Sequence, residues 1–228
     1  MIYRRMSLMM LRGLFLLLIL VLPSCTAERA AVHTGSVEWR LDEFEVAPPG
    51  LTKTGNPGPV DSPYGKAIAF DGEDDAFFLE ENPLQGLRSF TVEAIMCPDK
   101  DGPREQRFLH IGQVSGDRML LETRMTDDGQ WYLDTYLQSG SSQKALIDEN
   151  LLHPAGKWYH VALVVDDGRM VNYINSKPEL EAKIDFAPIN SGKTSIGVRL
   201  NKVSWYKGVI YKIVITPKAL KPEQFTTH

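Results

Sequence analysis

Residues 130–138 read QWYLDTYLQ, and their reading decides the fold. Trp131, Leu133, Thr135 and Leu137 fall on one side of an extended chain, with Tyr132, Asp134, Tyr136 and Gln138 on the other. This two-residue period is that of a half-buried strand. The same period runs through residues 118–125, where Met119, Leu121, Thr123 and Met125 alternate with Leu120, Glu122 and Arg124. It runs again through 89–97 (SFTVEAIMC), where Phe90, Val92, Ala94 and Met96 alternate with Thr91 and Glu93. Segments 158–166 (WYHVALVVD) and 208–215 (GVIYKIVI) are rich in β-branched residues. Asp71-Gly72, Asp101-Gly102, Asp128-Gly129, Asp167-Gly168 and Ser191-Gly192 mark turns between them. A helix is expected only near 221–226, with Pro222 at its first position. Many short strands with almost no helical period predict an all-β fold, a sandwich or jelly roll.

The composition is that of a globular chain: 228 residues, 43% hydrophobic and 24% charged, with a formal charge of −4. One long apolar run exists, at the N-terminus. Arg4, Arg5 and Arg12 precede Leu14–Leu22 (LFLLLILVL), a run too short to span a bilayer, and Leu22-Pro23-Ser24-Cys25 follows. This order resembles the signal of bacterial lipoproteins, which is cut before a cysteine that then carries lipid. Residues 1–24 are thus expected to be a signal peptide, Cys25 a lipidation site and 25–36 a tether, leaving one domain over 37–228. The implied location is the bacterial cell envelope, on a membrane surface. Loss of 1–24 removes three Arg and no acid, so 22 basic groups face 29 acidic ones. That balance argues against nucleic acid as a partner. With Cys25 acylated, Cys97 is left alone and is expected to be a small buried hydrophobe.

Four blocks follow one another in order: GKAIAFDGEDDAFFL (65–79), FTVEAIMCPD (90–99), KWYHVALVVDDGRMVNYINSK (157–177) and YKGVIYKIVI with PKAL (206–220). They resemble the laminin G-like domains of the concanavalin A-like lectin/glucanase superfamily. The resemblance implies a jelly roll of two antiparallel sheets, closed by the first strand (37–44) lying near the last (209–215). It also implies a structural role for His160 within Trp158-Tyr159-His160-Val161. Where relatives have Ile-Asp-Glu near the end, this chain has Ile210-Tyr211-Lys212. Tyr and Lys bring no carboxylate, so no metal or other cofactor is expected, and calcium is demoted. Asp71, Asp74 and Asp75 read as a solvated acidic turn. Asn175-Ser176 replaces a common Asn-Gly turn and is expected to change the turn type.

The outward sides of the strands supply the candidate ligand site: Glu93, His110, Glu122, Arg124, Tyr132, Asp134, Tyr136 and Gln138. His110 belongs to it if 106–111 (QRFLHI) is a strand with Phe108 and His110 on that side. In concanavalin A-like proteins saccharides often lie across a concave sheet, stacked on aromatic rings and hydrogen-bonded to charged and amide groups. The alternative to a ligand groove is a plain solvated sheet face. Glu93, Glu122, Asp134 and Arg124 are the candidate catalytic groups if the protein is an enzyme. The E-x-D-x-x-E order of the laminarinase-type hydrolases is absent, and His33, His153 and His228 show no zinc spacing. Trp205-Tyr206 is expected to pack in the core or at a sheet edge, the alternative being to stack on a sugar. The leading expectation is a non-catalytic carbohydrate-binding or adhesion module at the envelope. The alternatives are a glycan hydrolase or polysaccharide lyase, and a protein-interaction domain.

Overall fold

The computed structural model describes residues 35–45 and 50–226. The expected signal segment, Cys25, His33, His228 and all of the tether except Gly35 and Ser36 lie outside these residues. Sixteen strands form among the described residues: β1 (Val37–Arg40), β2 (Leu51–Thr54), β3 (Gly58–Ser62), β4 (Gly65–Asp71), β5 (Ala76–Leu79), β6 (Ser89–Pro98), β7 (Glu105–Gly112), β8 (Arg118–Met125), β9 (Gln130–Ser139), β10 (Ser142–Ile147), β11 (His153–Pro154), β12 (Tyr159–Asp166), β13 (Arg169–Ile174), β14 (Lys177–Lys183), β15 (Lys193–Ile196) and β16 (Lys207–Thr216). They make two antiparallel sheets. The first has the order β14-β13-β12-β6-β16-β4-β3, with β1 also on β16; the second has β10-β9-β8-β7-β15-β5-β2, with β11 on β9.

The alternation read from the sequence sets the core between the sheets. Phe90, Val92, Ala94 and Met96 of β6 join Val161, Leu163 and Val165 of β12 and Ile210, Ile213 and Ile215 of β16. Met119 and Leu121 of β8 and Trp131, Leu133 and Leu137 of β9 complete the same cluster from the other sheet. Each Val, Leu, Ile, Phe or Met among them contributes about 1.5–3 kcal/mol when fully buried. The first strand pairs with the last as expected, Val37 opposite Ile215, but it ends at Arg40. Leu41–Glu45 then turns into a 3-10 helix whose Leu41 and Phe44 enter the core. A part-buried hydrogen-bonded pair, His153 Nε2 and Glu179 Oε1 at 2.7 Å, ties β11 of the second sheet to β14 of the first.

The outer face of the first sheet is covered by its own chain. Leu220 and Phe225 pack against Ala162, Val164, Val171 and Tyr173 in a second, smaller core. Thr91 Oγ1 donates to Lys218 O (2.9 Å) and accepts from the Leu220 N–H (2.9 Å). Glu93 Oε1 accepts the Thr226 N–H at 2.7 Å and lies 2.9 Å from His160 Nε2. The expected C-terminal helix is a single 3-10 turn, Pro222–Gln224, with Pro222 leading it.

Three local expectations change. A bulge between Arg107 and Leu109 in β7 turns Phe108 into the core, where it is fully buried, so Phe108 and His110 do not share a side. Cys97 is half-buried rather than buried, and its thiol is pushed up by burial and by Asp99. Asn175 (φ 50°) and Ser176 (φ 62°) both take positive φ in the two-residue loop between β13 and β14. The Ser is thus held in the backbone region an Asn-Gly turn uses.

Phe225→Ala should lower stability in urea denaturation by about 3 kcal/mol while leaving the strand content unchanged. A loss under about 0.5 kcal/mol would mean that the second core does not hold the C-terminal segment down.

Candidate functional site

The outer face of the second sheet is built in rows across β7, β8 and β9. Arg107 stands opposite Glu122, and Glu122 opposite Asp134. Glu105 stands opposite Arg124, and Arg124 opposite Tyr132. His110, Leu120 and Tyr136 form the next row, and Arg118 with Gln138 the one after. The structure therefore brings Glu122, Arg124, Tyr132, Asp134, Tyr136 and Gln138 onto one face, as the alternation predicts; His110 joins them beyond the bulge and without Phe108. Glu93 is not among them. It lies on β6 of the other sheet, 2% exposed beneath the C-terminal segment. Alternation tells which residues share a side of their own strand; it does not tell which sheet a strand joins.

Glu122 and Asp134 would repel one another across the strand pair, and arginines resolve the conflict. Arg124 Nη2 donates to Glu122 Oε2 (3.1 Å) and to Asp134 Oδ2 (2.7 Å), and Nη1 pairs with Glu105 Oε2 at 2.9 Å. Arg107 pairs with Glu122 (3.1 Å) and with Glu105. Glu122 is 2% exposed, and its carboxyl is pushed up to about 7, by burial first and then by Asp134, against the pull of both arginines. Burial also raises Asp134. Burial pulls Arg124 down, but Asp134, Glu122 and Glu105 together move it above its ordinary value.

His110 is fully buried. Its Nδ1 accepts the Leu200 N–H (3.3 Å) and its Nε2 lies 3.1 Å from Gln113 O, so it joins two loops rather than meeting a ligand. Burial, with Arg199, Arg118 and Arg107 adding to it, holds the ring's pKa down to about 4. On this face Tyr132, Tyr136, Gln138, Arg107, Arg118 and Arg124 are half-buried and Glu105 is exposed. The Arg118 guanidinium lies 4.9 Å from the centre of the Tyr136 ring, and the Tyr136 hydroxyl donates to Gln143 Oε1 at 2.6 Å. Arg107, Arg118, Arg124, Arg199, Glu122, Asp134 and Tyr136 line a shallow depression of about 170 Å³.

Two other places attract notice. Asp71, Asp74 and Asp75 bring carboxylate oxygens within 4.8 Å of one another. Asp71 Oδ1 accepts the N–H groups of Glu73, Asp74 and Asp75, and Asp75 accepts those of Asn56 and Asp71. The Asp71 and Asp75 carboxylates thus help to shape the turn. Tyr211, the extra residue of a bulge in β16, packs 5.5 Å from Tyr64 and lies under Arg40, while Lys212 reaches Glu38 at 3.8 Å. Tyr64 also meets Trp158 edge-on at 5.4 Å. The sequence gives no hint of this aromatic cluster, since its members come from three distant segments. Tyr206 packs fully buried against Phe70 and Phe108, as expected.

The two shifted groups oppose each other in acid. Glu122 binds its proton more tightly when folded, so it lowers stability as pH rises from 4.5 towards 7. Asp134 acts in the same direction. His110 binds its proton less tightly when folded, so it raises stability as pH rises from about 4 to 6.5. Glu122→Gln should therefore stabilise the protein at pH 8 and make stability climb more steeply between pH 4.5 and 6.5. Urea midpoints across this range measure both effects. A Gln variant less stable than the parent at pH 8 would show that the ion pairs outweigh the cost of burying the charge.

A family model described as the concanavalin A-like lectin/glucanases superfamily, laminin G-like, matches residues 71–225. No curated protein sequence matches the chain. Among solved structures, domain 4 of the extracellular arabinanase AbnA of Geobacillus stearothermophilus, in complex with arabinotriose, superposes with a TM-score of 0.61 at 20% identity over 84% of this chain and 95% of that one. The binding domain of botulinum neurotoxin serotype D gives 0.57 at 20% identity over 76% of this chain and 44% of that one. An SAP-like pentraxin of Limulus polyphemus gives 0.53 at 21% identity over 69% and 78%. At these identities the structural likeness is one of fold, and it agrees with the sequence match. The chain belongs to the concanavalin A-like lectin/glucanase superfamily, as a laminin G-like member.

Proposed function

We propose that the protein is a non-catalytic carbohydrate-binding module, held at a bacterial cell envelope by lipid on Cys25. The observation that carries the binding reading is the contrast between the two outer faces. The chain's own C-terminal segment covers much of the first. The second displays Tyr132, Tyr136, Gln138 and Arg118 beside an open depression. Tyr rings offer a surface for the C–H face of a sugar, and the amide and guanidinium groups bond its hydroxyls. Tyr132 and Tyr136 are four residues apart on one side of β9, about 13 Å along the strand, a span that suits an oligosaccharide better than a single sugar. The arabinanase domain bound to arabinotriose and the neurotoxin D domain crystallised with N-acetylneuraminic acid support the reading by fold analogy.

The non-catalytic part of the proposal rests on how the carboxylates are held. An acid or nucleophile of glycoside hydrolysis must reach the glycosidic bond. Glu122 and Asp134 are buried to within a few per cent and tied to the same Arg124 nitrogen. Glu93, the third candidate, lies on the other sheet. The envelope part rests on the sequence of residues 1–25 alone.

Tyr132→Ala and Tyr136→Ala should each weaken retention on a glycan array at least about fivefold without changing the melting temperature. Retention unchanged in both would remove this face as the binding site, and new reducing ends or unsaturated products would make the protein an enzyme. Cys25→Ser should move the protein from the membrane to the soluble fraction. A variant that stays on the membrane would show that lipid on Cys25 is not the anchor.

A further inference from the structure

We propose that the depression on the outer face of the second sheet receives an acidic group of the glycan, a carboxylate or a sulfate ester, between Arg118 and Arg199. The inference rests on the carbohydrate-binding reading above and names the class of sugar.

The argument starts from the charges around the depression. Arg107, Arg118, Arg124 and Arg199 line it. The acids nearby are Glu105, Glu122 and Asp134, and their ion pairs are all with Arg107 and Arg124. Among the described residues, Arg118 and Arg199 have no carboxylate within ion-pair distance. Each is instead fixed by neutral groups. Arg118 donates from Nη1 to Gly116 O (2.7 Å) and from Nη2 to the Tyr136 hydroxyl (3.3 Å), while Arg199 donates from Nη2 to Val114 O (2.9 Å). The Nε atoms of Arg107, Arg118 and Arg199 are buried without a hydrogen-bond partner among the described residues. Buried guanidinium donors are ordinarily satisfied, and three orphans around one depression mark a place that lacks an acceptor.

The local field agrees with this count. Arg199 is held below its ordinary value by burial, with Arg118 and Arg107 adding to the shift and Glu122 working against it. The same three arginines add to the downward shift of His110. This pocket of positive potential lies on a chain whose formal charge is −4. An anion placed there relieves the repulsion and is met by the Nη ends of the guanidinium groups. A planar carboxylate or a sulfate suits guanidinium forks, which grip such groups through paired N–H donors. The adjacent Tyr136 ring would then lie beside the sugar that carries the acidic group.

The full chain can be run in affinity gels containing polygalacturonate, dextran sulfate, or the neutral polymers galactan and dextran. Retardation by at least one polyanion, absent with its neutral counterpart and weakened by salt, is the expected result. Which polyanion acts tells carboxylate from sulfate. Arg118→Gln and Arg199→Gln should each weaken that binding about tenfold, and Arg199→Lys, which keeps the charge but loses the fork, should weaken it less. Arg88→Gln, in the bend before β6 of the other sheet and paired with Asp167, should change nothing. If the Gln variants do not fold, the parent protein still decides the class, since free glucuronate should release it from polygalacturonate, or a free sulfated sugar from dextran sulfate, and glucose should release it from neither. Binding to neutral polymers alone overturns the acidic-group inference and leaves the carbohydrate reading standing. Polyanion binding that survives in folded Gln variants overturns the assigned location. No binding to any of the four, together with a blank glycan array, overturns the carbohydrate reading itself.

Discussion

A strand has two sides, and in this protein each strand of the two central layers can give only one of them to the core. That constraint organises the molecule. Phe90, Val92, Ala94 and Met96 on β6 and Trp131, Leu133 and Leu137 on β9 leave water together, and the sandwich closes over them. Whatever alternates with them must then be dealt with outside. The two sheets handle this differently. On the first, apolar and polar outer residues alike are covered by the C-terminal segment, which gives Thr91 and Glu93 backbone partners and packs Phe225 on Tyr173. On the second, the outward groups are mainly charged and are paired with one another across strands.

That pairing decides what the second face can do. Two carboxylates directly opposite on neighbouring strands would invite an acid–base reading. Arg107 and Arg124 convert them into structure, at the cost of burying charge. Such a network is weak evidence for stability. Its effect is to hold the side chains of the face in fixed positions and to consume the local acids. The arginines left over, Arg118 and Arg199, are the ones without a counter-charge. The face is thus rigid where it is balanced and unsatisfied at one edge.

The strand period was legible, and with it the fold, because alternation survives in a single sequence wherever one side of a strand is buried. The content of the outer face of β8 and β9 was legible for the same reason. Glu93 was misplaced because a period of two does not say which sheet a strand joins. Phe108 was misplaced because a bulge adds one residue to β7 and shifts everything before it to the other side, with no glycine to announce it. The depth of His110 was hidden because it depends on how the loop after its own strand, at Gln113, folds back and on Leu200, ninety residues away. Arg199 was not a candidate because it lies outside any regular alternation; the structure alone brings it beside Arg118. His160 was read correctly as structural, although its partner Glu93 was assigned elsewhere.

The order of the first sheet has a consequence for how the protein is made. β16 lies in the middle of that sheet, bonded to β6 and β4, with β1 also pairing along it. Yet it is the last of the sixteen strands to leave the ribosome. Until residues 207–216 emerge, β6 and β4 have no common neighbour, β1 has no partner, and the covering segment with Leu220 and Phe225 does not exist. Domains with such distant pairings fold slowly, and vectorial synthesis cannot shorten the wait. The first sheet therefore cannot close until residues 207–216 have been made.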